Sequence, residues 1–347
     1  IRLTAMGGSI GVAKNFYDNS ISDEEGYYSI DGMGKGVVKE EVEKFDIEHI
    51  AQHRFGLVNS SVLDVPYINR YPFNEYRYMK KLGIGKTSIV YKATSVKDEK
   101  ERFAIKEIKV SELKRQEFED FRYELNILSQ LSHPSIMKLH SVYDSGGPNS
   151  KFFLILEYLK GGELVNAILQ NRHYAEVDVI HFANQIISGI QYLHSRGVVH
   201  GNLIPENIVL ANQRFSDRIN NHVKIVGFDS METIQHRRNL IQFQPNGVNV
   251  DTKKRLLVDE QFRAPELMEL FQSENLCTSR EADIWSFGVF LYILLSGQLP
   301  FPHGKTAVLH PISSFTDSKW DKISFVAKEL LCKLLHPEPQ SRYNASD

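Results

Sequence analysis

From Tyr76 onward, apolar and polar positions alternate with a period near two. "YRYMKKLGIGKTSIVYKATS" and "RFAIKEIKV" are β-branched, alternating and broken by glycines, the pattern of half-buried strands. In "EFEDFRYELNILSQL" the spacing changes. Phe118, Phe121, Leu125 and Leu128 recur three and four residues apart, which makes one face of a helix apolar. "FFLILEYL" predicts a buried strand that runs into Gly161-Gly162. Helical patterns then dominate, in "VIHFANQIISGIQYLHSRG", "EADIWSFGVFLYILLSG" and "SFVAKELLCKLL". The order predicts an α+β protein of two lobes, a small β-rich lobe over about 76–157 and a larger helical lobe over about 158–347. No internal repeat is visible.

Residues 1–75 follow a different pattern and predict a flanking segment. "MGGSIG" and "SIDGMGKG" are glycine-rich, "DEEGYYSIDG" is acidic and turn-prone, and a short helix is expected in "VVKEEVEKFDIEHIAQH". A degenerate calcium loop fits "SIDGMGKGVVKEE", with Asp31, Gly34 and Glu40 near loop positions three, six and twelve. Ser29 would then hold the first position, and Gly36 would stand where an aliphatic residue is usual. The plainer expectation is a segment that packs on the main domain or is partly disordered.

Bulk properties narrow the function classes. At 347 residues the chain has room for one two-lobed domain and an extension, and its 42% apolar fraction supports a real core. A formal net charge of -2 carries no polyelectrolyte signature, so no nucleic-acid partner is expected. The two cysteines, Cys277 and Cys332, have no metal-ligand spacing. They point to a reducing compartment and a cytoplasmic protein. No signal peptide opens the sequence. The longest apolar run, "FGVFLYILL", is about half the length of a bilayer crossing, so a buried helix is expected and no transmembrane segment.

Candidate chemistry begins at Gly83-Ile-Gly85-Lys-Thr-Ser88-Ile-Val90, between two strand patterns. Such loops let backbone N–H groups approach phosphates. The "GKTS" within it is not a P-loop: Lys80 stands where the first glycine is needed, and a strand follows rather than a helix. Lys106 follows in "FAIK", and Glu124 sits among apolar helix neighbours. A Lys–Glu pair that holds α- and β-phosphates explains glycines, lysine and glutamate together. A surface salt bridge explains only the last two.

The chain then reaches "HGNLIPEN", His200 to Asn207. Together with "LEYLKGGEL", "KIVGFDS", "RAPE" (Arg263 to Glu266), "DIWSFG" and the late Arg342, it resembles the eukaryotic protein kinase family from about Tyr76 to the end. "SFGVFLYILLSGQLPF" and "LSHPSIMKLHSVYD" resemble the calcium/calmodulin-dependent group, which includes the calcium-dependent kinases. That fold would normally carry one more helix after Asp347.

The resemblance implies roles. Leu156 would be the gatekeeper. Glu157, Tyr158 and Leu159 would line the hinge beside adenine, and Glu163 would meet the ribose. Val90 and Ala104 would cover the adenine from above, and Val209 from below. Glu266 and Arg342 would pair to anchor the activation segment, and Asp283 would brace the catalytic loop. His200 and Phe228 would keep the packing of an active core, with Leu128 above them.

The departures carry equal weight. The family's loop reads H-R-D-L-K-P-E-N, but here Gly201 replaces the Arg that clamps an activation-loop phosphate. Asn202 replaces the proton-accepting Asp, and Ile204 replaces the Lys that faces the transferring phosphate. Within that loop Asn207 is kept. "GFD" replaces D-F-G, so Gly227 stands where the metal-binding carboxylate belongs. Asp229 lies two residues on, about 7 Å of extended chain away. Ser88 replaces the third glycine of the phosphate loop. An amide does not act as a carboxylate base. The pattern predicts a pseudokinase that regulates or scaffolds a protein partner, an active kinase or its substrate. ATP binding would be weak or absent, and magnesium would add little. The alternative is an active Ser/Thr kinase of atypical mechanism that uses Asn207 and Asp229 for metal.

Overall fold

The alternating segments form one six-stranded sheet. In the computed structural model its strands are β1 (Tyr67–Ile68), β2 (Tyr76–Ile84), β3 (Ser88–Ser95), β4 (Arg102–Lys109), β5 (Leu139–Asp144) and β6 (Lys151–Glu157), in spatial order β1-β5-β6-β4-β3-β2. The structure describes residues 63–85, 87–110, 113, 115–146, 150–170, 175–212, 221–228, 232–233, 261–270, 279–301, 315 and 318–347. The flanking segment through residue 62, with Ser29, Asp31, Gly34, Gly36 and Glu40, and Asp229 lie outside them.

Two compact units divide the chain. One runs to Leu131 and takes in Lys138–Tyr158; the other comprises Ser132–Met137 and Leu159–Asp347. The sequence pattern suggested a single changeover near Tyr158. The short excursion at Ser132–Met137 arises because Ile136 bridges Ile225, and the backbones of Ser135 and Met137 bond Ile225 on both sides.

In the first unit, period two puts Ala93, Ile105, Tyr143, Phe153 and Ile155 on one buried face. Strands β2, β3, β4 and β6 pair antiparallel, and so do β5 and β6. Only β1 pairs in parallel, against β5. The sheet therefore begins before Tyr76, within the segment that reads as flanking. Helix α1 (Arg115–Gln130) buries Phe118, Phe121, Leu125 and Leu128, the residues of its apolar spacing.

The second unit is built on helices. They are α2 (Leu164–Gln170), α3 (Glu176–Ser195), α4 (Pro265–Leu270), α5 (Arg280–Ser296) and α6 (Phe325–Leu334). α5 is apolar on nearly every side and buried on nearly every side, as a helix at the centre of a core must be. The Ser279 hydroxyl caps its start by accepting the Ala282 N–H. Gly288 lets α6 approach closely, since a Cβ there would press on Leu334 and Leu335. No helix among the described residues is long and apolar enough to cross a membrane. Two small ribbons, β8 (Ile208–Leu210) with β9 (Val223–Ile225), and β7 (Val198–Val199) with β10 (Glu232–Thr233), hold the loops that carry the candidate chemistry.

Candidate functional site

In the first unit, β2 and β3 turn through the glycine loop. Gly83 pairs with Val90, and the Gly85 N–H donates to the Ser88 carbonyl at 2.7 Å. A Cβ on Gly85 would lie 2.8 Å from the Ser88 Oγ. The serine that replaces the third glycine thus packs against the second, and the Gly85 donor is spent within the loop. Lys106 lies on β4 in register with Val90 and Leu154, and Ala104 lies opposite Leu156. Val90 and Leu156 are buried, and Ala104 and Lys106 are half-buried. Glu124 is half-buried on α1. Glu157 ends β6, with its backbone N–H donating to the Lys138 carbonyl and its carboxylate accepting the Lys138 N–H.

In the second unit, Leu159 and Val209 are buried, and Glu163 bridges Val209. Burial, and then the nearby Glu206, push the Glu163 carboxyl above the usual range. It accepts the Asn166 amide at 2.6 Å.

The catalytic-loop segment is braced from α5. Asp283, 2% exposed, accepts the backbone N–H groups of His200 and Gly201, each at 2.9 Å, and the His194 Nε2, also at 2.9 Å. His200 is fully buried. Its Nε2 meets the Val226 carbonyl at 3.0 Å, and its ring lies 5.2 Å from Phe228. The reactive positions hang on this frame. Asn207 ends a 3-10 turn and donates its Nδ2 to the Asn202 carbonyl at 2.9 Å. The Asn202 Oδ1 is buried with no hydrogen-bond partner among the described residues. Ile204 precedes the turn and is half-buried.

Gly227 follows β9 with φ +78°. A Cβ there would overlap the Oδ1, Cγ and Nδ2 atoms of Asn207. The Asn207 amide fills the room that a side chain at position 227 would need.

Residues 76–347 match the protein kinase domain. The chain belongs to the protein kinase family. Myosin light chain kinase A of Dictyostelium discoideum is 30% identical over 278 residues, covering 78% of this chain and 85% of that protein. Calcium-dependent protein kinase 14 of Arabidopsis thaliana is 31% identical over 278 residues, covering 78% of this chain and 47% of that protein. Calcium/calmodulin-dependent protein kinase type IV of Mus musculus is 30% identical over 281 residues, covering 79% of this chain and 54% of that protein. The chain thus spans about half the length of the last two, and its kinship lies with the calcium/calmodulin-dependent group.

The second unit brings together Asn202, Ile204, Asn207 and Gly227. Glu266 and Arg342 also meet. The guanidinium reaches Glu266 at 2.8 and 3.1 Å and bonds the carbonyls of Glu281, His336 and Pro337. Magnesium fits the described donors poorly. They are two amides and a glycine, whereas a hard dication is held through carboxylates. Sequence reasoning missed His194 as a partner of Asp283, and Glu206 as a neighbour of Glu163. Their separations of 89 and 43 residues leave no local signal.

Proposed function

We propose that this kinase-family chain is a pseudokinase. It works in the cytoplasm as a non-catalytic scaffold or allosteric regulator of a protein partner, an active kinase or its substrate. Nucleotide binding is weak or absent and does not depend on magnesium. The observation that carries this reading is the Asn207 amide lodged in the space beside Gly227. In an active kinase the residue at that place holds magnesium, and the conserved asparagine holds a second ion. Here the two positions have collapsed onto each other. Asn202 adds to the case, since its neutral amide takes no proton from a substrate hydroxyl. Ile204 supplies no cation to a transferring phosphate. The kept frame of Asp283, His200 and Phe228 maintains a shape, which is what a binding partner reads.

The test is a calorimetric titration of ATP with and without magnesium, beside a radiolabel transfer assay with Lys106→Met as the blank. The expected result is an affinity that magnesium changes less than about threefold, and transfer at the blank. A hundredfold tightening, about 2.7 kcal/mol, or transfer well above the blank would overturn the proposal. It would instead point to an active kinase that uses Asn207 and Asp229.

A further inference from the structure

The first unit holds a feature that neither the kinase motifs nor the proposed function use. Residues Pro66–Glu75 lie along the sheet edge and fold back over its face. β1 adds to β5 in parallel, with Tyr67 opposite Val142 and Ile68 opposite Tyr143, and the Val142 N–H donates to the Pro66 carbonyl at 2.9 Å. Two residues of strand are a weak hold by themselves. Side chains supply the rest. Ile68 packs against the core of Ala93, Ile105, Tyr143, Phe153 and Ile155. Tyr71 and Phe73 stack at 5.3 Å and lean on Phe153. Glu75 accepts the Tyr143 hydroxyl at 2.7 Å.

Tyr67 is the joint between this segment and α1. Its hydroxyl donates to the Asp144 Oδ2 at 2.7 Å, and Asp144 is 5% exposed. Its ring lies 6.5 Å from Phe152, which in turn lies 5.2 Å from Phe121 and 6.4 Å from Phe118 on α1. α1 is the helix that carries Glu124.

We propose that Pro66–Glu75 is a strap latched by Tyr67, and that phosphorylation of the Tyr67 hydroxyl releases the latch and loosens α1. The Tyr67–Asp144 bond exists only while the hydroxyl carries its proton. A phosphate would replace that proton with a charge of about -1.5 to -2, set against a buried carboxylate. Two cations close along the chain are already engaged, Arg70 with Glu75 and Lys151 with Glu107. Burial, and then the bond to Asp144, hold the phenol above its ordinary range, in keeping with its role as a donor.

The transfer itself is ordinary. ATP is supplied by a tyrosine-directed protein kinase, and the Tyr67 oxygen attacks the γ-phosphorus. The bond to the β-phosphate oxygen breaks, ADP leaves, and the phenolic proton passes to the acting kinase. Local opening of a two-residue strand gives that kinase its access.

The experiment installs phosphotyrosine at position 67 of the full chain by codon suppression and follows amide hydrogen exchange. The expected result is at least tenfold faster exchange in β5 and in α1, with α3 and α5 unchanged. Tyr67→Phe keeps the ring on Phe152, so it should raise exchange in β5 and leave α1 within about twofold. Asp144→Asn in the phosphorylated chain should recover part of the protection. Exchange unchanged on phosphorylation, or confined to β5, would overturn the latch. So would a rise spread equally over α3 and α5, which is general unfolding. Incubating the wild-type chain with a broad-specificity tyrosine kinase and ATP tests access. Modification at Tyr71 that never reaches Tyr67 would remove phosphorylation as the trigger.

Discussion

Replacing Gly227 with alanine puts a methyl group in place of a hydrogen, a net gain of one carbon and two hydrogens, at the most crowded point of the candidate site. At φ +78° an L side chain pays the left-handed penalty of about 1–2 kcal/mol. The new Cβ also overlaps the Asn207 amide, which must move. Moving it breaks the bond from Nδ2 to the Asn202 carbonyl, a net loss of about 1 kcal/mol. Asn207 is 8% exposed, so a displaced amide left without a partner costs about 1–3 kcal/mol more. The expected loss is therefore about 3–6 kcal/mol. Urea unfolding followed by tryptophan fluorescence suits the measurement. Both tryptophans, Trp285 and Trp320, lie in the second unit, so the signal reports the unit that carries Gly227. A double-mutant cycle isolates the overlap. Asn207→Ala in the Gly227→Ala background removes the clashing atoms, so the pair should cost about 1–2 kcal/mol less than the sum of the singles. A loss below about 0.5 kcal/mol for Gly227→Ala, or additivity within about 0.5 kcal/mol, would show that Asn207 does not fill that space.

Further expectations follow from other sites. Gly227→Asp meets the same overlap, so it should lower stability and leave magnesium without effect on ATP affinity in the calorimetric titration. Asn202→Asp places a carboxylate where an oxygen already lacks a partner; radiolabel transfer should stay at the Lys106→Met blank, also when combined with Ile204→Lys. Glu266→Ala strands the Arg342 guanidinium, whose side chain is 0% exposed. It should cost about 3–5 kcal/mol in the same unfolding assay. His133 accepts the Ser135 N–H on Nδ1, and burial, then Lys224, hold its pKa below the ordinary imidazole value of about 6.5. The folded chain therefore binds this proton less readily than the unfolded chain. Stability should be full above about pH 6.5 and fall as pH drops through the folded value. Melting curves across pH 5–8 should show this slope, and His133→Asn should flatten it.

Much of this protein was legible along the chain. A continuous apolar run gave β6, while period two gave strands β2 to β4 and spacings of three and four gave the buried face of α1. Both follow from side-chain direction, which is local. The apolar run in α5 read correctly as a buried helix because it is too short to cross a bilayer. The motif residues were legible too, since Asn202, Ile204 and Gly227 differ from the kinase pattern in the letters themselves. What those letters do was decided elsewhere. Sequence gave Gly227 only as a missing carboxylate; the fold turned it into a left-handed glycine against which Asn207 closes. Asp283 meets His194 across a sequence separation of 89. The assignment of Ser132–Met137 to the second unit rests on backbone bonds to Ile225, which no composition encodes. The strap was the hardest to see. Its two-residue strand is too short to show a period, and it pairs in parallel with β5 across 75 residues of sequence. A parallel ladder has no turn to announce it, so only the folded sheet edge reveals where Tyr67 belongs.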